Sequence, residues 1–298
     1  LYFKVALPIV HVDNDMHLQV TNDGNNAAEK TNVEDYFKGT YTPMAGEVVG
    51  EVLKYAKMNG SQNDTEVADI DITLGYRVVN KENAKLAIEV GFTIPTGNGA
   101  DGVWVFEPIS GNNEHWALGA GLDFWGKVWE DGDQYFRIDA VLDWRYLFES
   151  SEKRTLRLKN ETALFGGTAL GDYKYTQYRL VGQGTAGEAP TNVRPLANIS
   201  TLDVDVTPGS QLDALLGVAY ANGGFSIDLG YNLFWKEEED VDYKEAFADN
   251  YKLLTDAGLV SDQDALVRTN LEKGSAETPS YLTHKIYGRL GYIFKEWD

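Results

Sequence analysis

Residues 84–94 run Ala84-Lys85-Leu86-Ala87-Ile88-Glu89-Val90-Gly91-Phe92-Thr93-Ile94. The even positions are all apolar, and the odd ones are charged, small or hydroxylated. A β-strand sends successive side chains to opposite faces, so this segment has one oily face and one polar face. The same period of two runs through 68–78, 116–128, 136–148, 212–220, 225–235 and 286–294. Strands of globular proteins are usually about 5–6 residues long, whereas crossing a bilayer takes roughly 9–11 tilted residues. The repeated length and period predict an all-β chain: a transmembrane, antiparallel, up-and-down β-barrel forming a single domain over residues 1–298.

Composition narrows the partners. No run of 18 apolar residues exists, so no membrane-spanning helix is expected, which leaves a barrel open because its strands hide half their residues from lipid. With no cysteine, disulfides and thiolate metal sites are excluded. A net charge of −20 argues against nucleic acid, whose phosphates require clustered Lys and Arg. The chain opens on Leu1-Tyr2-Phe3-Lys4-Val5-Ala6-Leu7, already alternating, and a signal sequence is expected to have preceded it.

Between the strands lie four long segments expected to be loops: 11–46, 95–113, 183–210 and 237–280. Short turns join 67–79 to 84–94 across Asn80-Lys81-Glu82-Asn83, 115–128 to 134–148 across Glu130-Asp131-Gly132-Asp133, and 211–221 to 224–236 across Ala221-Asn222-Gly223-Gly224. Less regular strands are expected near 154–166 and 172–182, and Thr201-Leu202-Asp203-Val204-Asp205-Val206 also alternates. Residues 48–58 form a weaker strand candidate. Phe247, Tyr251, Leu254 and Leu259 have helical spacing, which predicts a short helical insert within 243–271, either packed on its own loop or folded as a plug into the barrel mouth. The total is roughly ten to twelve strands. Placing the long segments on one side and the short turns on the other leaves out 201–206 as a wall strand and gives an odd count of eleven.

Aromatic residues gather toward the strand ends, where the interfacial girdles of a membrane barrel belong: Trp116, Phe124, Trp129, Trp144, Tyr146, Phe148, Tyr231, Trp235, Tyr292 and Phe294. The opposite face carries charges of both signs, giving candidate pore-lining residues Asp69, Asp71, Arg77, Lys85, Glu89, Asp123, Arg137, Asp139, Asp143, Arg145, Asp213, Asp228, Lys285 and Arg289. In a soluble sandwich or lipocalin-like barrel the same alternation would point its apolar face inward instead. The final strand, Tyr287-Gly288-Arg289-Leu290-Gly291-Tyr292-Ile293-Phe294, resembles the C-terminal assembly signal of Gram-negative outer-membrane barrels, although that pattern ends on the aromatic and Lys295-Glu296-Trp297-Asp298 follow here. The resemblance implies a bacterial outer-membrane location, with the lipid bilayer as the principal partner and a homo-oligomer as a further one.

No catalytic constellation emerges. His11, His17, His115 and His284 lack zinc-ligand spacing, and His115 and His284, each at the start of a strand, read as interfacial. Asp13-Asn14-Asp15 and Asn22-Asp23-Gly24 resemble fragments of calcium loops without the closing Glu; loop calcium is the one cofactor left open, and none is otherwise expected. Gly97-Asn98-Gly99-Ala100-Asp101-Gly102 is turn-rich but lacks the Lys-Ser/Thr of a phosphate loop. Trp104-Val105-Phe106 stands out as an aromatic cluster inside a loop. The leading expectation is a porin-like channel for passive diffusion of small solutes, and not an enzyme. The alternative is a closed outer-membrane barrel that stabilises the envelope or displays its loops, since ten to twelve strands make a narrow lumen that side chains can fill. Close Arg–Asp pairing in the lumen would favour this alternative. A transporter of hydrophobic compounds or an outer-membrane enzyme ranks lower.

Overall fold

The computed structural model describes residues 1–20, 27–45, 47–58, 60–160, 173–248 and 250–294. The chain is all-β and antiparallel. Its main element is an eight-stranded sheet of β1 (Tyr2–Ala6), β6 (Ile70–Asn80), β7 (Ala84–Ile94), β8 (Ala117–Asp131), β9 (Gln134–Leu147), β14 (Gly209–Asn222), β15 (Phe225–Lys236) and β18 (Tyr281–Tyr292), in that spatial order. These are the seven alternating segments and the N-terminal one. Every neighbouring pair is antiparallel, so β1 and β18, the two edges, run in opposite directions. The sheet is open: these edges do not pair with each other.

The long sheet therefore has eight strands, where ten to twelve were expected in one barrel wall. The surplus segments were expected in the wall because they alternate or carry apolar residues, but they pair among themselves in small sheets. One consists of β10 (Ser150–Thr155), β13 (Thr201–Thr207) and β16 (Asp240–Tyr243); another of β12 (Thr191–Pro195), β11 (Leu180–Gln183) and β17 (Lys252–Leu253). Two ribbons complete the set, β2 (Ile9–Asp15) with β5 (Ser61–Val67), and β3 (Met44–Ala45) with β4 (Val48–Val49). Residues 161–166 of the expected 154–166 strand, together with residue 172, Asn22-Asp23-Gly24 and Trp297, lie outside the described residues.

The three tight turns, β6–β7, β8–β9 and β14–β15, lie at one end of the sheet. The four long connections, 7–69, 95–116, 148–208 and 237–280, all leave the other end and build a cap. The expected loops are thus largely folded: α1 (Ala27–Lys38) and β2 fall in 11–46, and β12, β13 and α2 (Ala197–Ser200) in 183–210. The helical insert expected within 243–271 is corrected: the described residues there form β17 and a single 3-10 turn, Arg268–Asn270. Phe247, Tyr251 and Leu254 are buried without helical backbone, the first two in the main cap cluster and Leu254 in a second one, so their spacing does not reflect one helical face.

The apolar core lies in the cap. Leu156, Leu158, Val181, Leu196, Val204, Val206 and Val241 are each fully buried there, in one cluster with Phe247, Leu266 and Leu271. The long sheet buries only small side chains along its length, such as Ala87 and Ala219, with Leu147 beneath the cap.

Candidate functional site: the ion-paired face and its capped end

The registers place alternate residues of all eight strands on a common face. Asp71 lies opposite Thr93, Glu89 opposite Gly121, Asp139 opposite Gly217 and Asp228 opposite Arg289. This face is polar and concave. Arg145 on β9 reaches Asp71 on β6 at 3.6 Å. Three strand spacings of about 4.8 Å separate the two backbones, so the sheet must curl toward this face for the side chains to meet. Every expected lining residue except Asp69 belongs to it.

Most of those charges are spent on one another. Arg137 Nε donates to Asp139 at 2.8 Å, and its Nη2 lies 3.4 Å from Asp228, two strands away. Arg289 donates to the same Asp228 at 3.0 Å, so one carboxylate is clamped by arginines from β9 and β18. Arg145 also meets Asp143 at 3.3 Å, and Thr93 Oγ1 donates to Asp71 at 2.6 Å. Glu89 accepts from Lys4 at 2.6 Å, and Asn232 donates to Asp213. Arg77 stands over the Tyr2 ring and Lys85 over Trp125. Asp123 and Lys285 make no ion pair among the described residues. The eight strands carry nine acidic and nine basic residues, so the net charge of −20 lies wholly outside them.

Between Asp71, Glu89, Asp143 and Arg145 the face leaves a cavity of only about 40 Å³, room for a few waters. A larger hollow of about 350 Å³ opens beside Asp213, Asn232, Leu215 and Phe234.

The opposite face is apolar and bare. Leu74, Ile88, Val90, Leu122, Leu216, Leu229 and Ile286 are exposed, Val90 to 59%, while Thr93 on the polar face of the same strand is only 4% exposed. Aromatic side chains flank these aliphatics. Trp116, Trp144, Tyr146, Phe148, Tyr231 and Trp235 sit toward the cap, with Phe92 stacked on Trp116 at 5.3 Å. Phe124, Trp129, Tyr292 and Phe294 sit toward the tight turns, with Tyr292 and Phe294 edge to face at 4.9 Å.

Where sheet meets cap, two acids act in ways their sequence positions do not reveal. Asp69 is corrected from a lining residue to a clamp: it is 5% exposed and accepts the N–H groups of Gly97 (3.2 Å) and Asn112 (2.6 Å), tying the 95–116 connection to the start of β6. His115, expected at an interface, is 1% exposed. Its Nδ1 lies 2.7 Å from the Phe148 carbonyl oxygen and its Nε2 2.7 Å from Glu152 Oε1. Both ring nitrogens are thus engaged, one by a backbone carbonyl and one by a buried carboxyl. The other oxygen of Glu152 accepts from Arg154 at 2.6 Å; Arg154 extends to Glu239 at 3.4 Å, and Glu239 accepts from Lys236 at 2.7 Å. Burial alone would raise the Glu152 and Glu239 carboxyls, but the hydrogen bonds from His115 and from Lys236, with the Arg154 charge, outweigh it and hold both below the usual carboxylate range. This ladder joins the end of the 95–116 connection, β10 and the end of β15. Glu152 lies 37 residues from His115, so no local spacing could have revealed the pair.

Compared with known protein families, the chain matches no family model, and it has no match among curated proteins.

Proposed function

We propose that the eight-stranded sheet is the wall of a bacterial outer-membrane β-barrel, and that the barrel is an occluded one whose work is done by the cap it displays. The observation that carries this reading is the arrangement of the two faces. A sheet with apolar side chains bare on its convex face and ion pairs on its concave face is costly in water, where each exposed aliphatic forfeits its burial. In lipid the same arrangement is the favourable one. The aromatic rows agree in spacing: Phe136 and Trp144 are eight residues apart on β9, roughly 27 Å along the strand at about 3.4 Å per residue. With a tilt of about 40° that becomes roughly 20 Å, close to the apolar band of about 25 Å. The antiparallel relation of β1 and β18 is the one a closed up-and-down barrel requires. Because such barrels carry short turns inside and long connections outside, the acidic cap is extracellular in this reading.

The cross-strand clamps on Asp228 and Asp71 favour occlusion over a passive channel, since they span the concave side and consume the charges that would line a water path. The hollow beside Asp213 favours a second reading, a porin-like route for small solutes. Planar-bilayer conductance of the purified protein in a salt gradient separates the two. Insertion without ohmic steps is expected; stable steps would overturn occlusion in favour of the channel, and failure to insert would overturn the barrel.

A further inference from the structure

The aromatic cluster of the 95–116 connection serves neither the sheet nor the cap core. Backbone bonds fix it in place: Lys57 N–H donates to the Val103 carbonyl and Val105 N–H to the Lys57 carbonyl, at 2.9 and 3.0 Å. It forms one wall of a cavity of about 650 Å³ in the cap, faced across the opening by Tyr175, Tyr178 and the 275–279 turn. That volume is in the range of small-molecule sites. At its mouth the Phe106 and Tyr175 rings are 54% and 59% exposed, and Trp104 lies deeper between them and Lys57.

The polar groups of the wall define the ligand. Its cations are already matched: Arg154 by Glu152 and Glu239, Lys153 by Asp203. An anionic ligand would therefore find no unpaired positive charge among the residues that line the cavity. A cationic ligand would find the Trp104 face already taken by the Lys57 ammonium, 4.2 Å from the ring centre. Within the same wall, Glu107 accepts the backbone N–H groups of Asp101 and Trp104, at 2.9 and 3.0 Å. The hydrogen bond from Glu107 keeps Asp101 below the ordinary carboxylate range, while burial and then Asp101 push Glu107 above it. The Glu277 carboxylate makes no hydrogen bond or ion pair among the described residues. What fits is uncharged, presents flat C–H surfaces to the rings and offers hydroxyls to Glu277 and the amide of Asn113. We propose that this cavity is a binding site for a neutral saccharide. The proposal concerns the cap alone and does not depend on what surrounds the sheet.

The test is saturation-transfer NMR on the full chain in detergent micelles with maltotetraose, cellotetraose, mannotetraose and chitotetraose, and with choline and citrate as charged controls. At least one sugar is expected to bind, with transfer strongest at its ring C–H protons. Both mouth rings are exposed, so Phe106→Ala and Tyr175→Ala should leave the fold intact, as checked by circular dichroism, and together weaken binding about tenfold or more. No transfer to any of the four sugars overturns the proposal. So does undiminished affinity in the folded double variant, which would put the sugar elsewhere, or tighter binding of choline or citrate than of every sugar.

Discussion

At each edge of the sheet a tyrosine lies flat across a glycine of the neighbouring strand, Tyr2 over Gly75 and Tyr287 over Gly230, each directly opposite in register. A Cβ at Gly75 would fall 2.1 Å from the Tyr2 ring, and one at Gly230 would fall 1.9 Å from Tyr287. The missing side chain is therefore the slot that lets the edge ring cover bare backbone, a known device for glycines near sheet edges. Gly230→Val should cost about 1–3 kcal/mol through overpacking, read as a lower thermal midpoint in detergent. In a Tyr287→Ala background that cost should largely vanish, because the ring it collides with is gone; equal costs in both backgrounds would show that the slot does not matter. These single residues were only partly legible in the sequence. Alternation assigned Asp71, Arg137, Asp228 and Arg289 to one face, because a face is a property of parity. Their partners were not legible, since Arg145–Asp71 and Arg137–Asp228 depend on how far the sheet curls. Asp69 and His115 were misjudged because each sits at a strand start, where parity stops and a distant connection decides the surroundings.

Elements were legible wherever a strand keeps two different environments on its two faces for its whole length. β7 was read to the residue for that reason. The cap strands are short and packed on several sides, so their alternation is brief: β10, β11 and β13 fall near expected strands, whereas β12, β16 and β17 fall in segments expected to be loops. The polar surface of α1 offered no apolar stripe to detect. The ladder from His115 to Lys236 is what binds these unremarkable elements to the sheet. Because the Glu152 and Glu239 carboxyls lie below their ordinary value of 4.5, their contribution is complete above about pH 4.5 and is lost as pH falls through the depressed folded values. Limited proteolysis from pH 7 to pH 3 should show the cap opening at the acid end; a cap still resistant at pH 3 would refute this. Glu152→Gln should cost about 3–5 kcal/mol at neutral pH by removing the buried charge that pairs with Arg154, and should flatten the acid dependence. Within the core itself, Leu156→Ala should cost about 2–5 kcal/mol, measured as an earlier loss of cap resistance in urea.

For the molecule as a whole, the decisive quantity is the contrast between charge-neutral strands and an acidic remainder. It gives the apolar face no competing charge and leaves the cap to carry the solubility. If the wall closes as proposed, the outward residues of β1 and β18 come within reach. Val5→Cys paired in turn with cysteines at Leu282, His284 and Ile286 should give a disulfide in at least one pair, seen as a shift on non-reducing gels. Complete absence of cross-linking would refute closure by these two strands. The strand count was the part of the architecture least accessible to sequence reading, because a strand that alternates in a cap looks like one that alternates in a wall. One consequence concerns biogenesis. The cap's main core combines Leu156 and Val204 from the connection before β14 with Val241, Phe247 and Leu266 from the connection after β15. Neither set can be buried until the hairpin between them has been laid down, and such long-range contacts form late. In the proposed barrel, the cap would therefore gain its protease resistance only in chains whose β14–β15 hairpin is already in place.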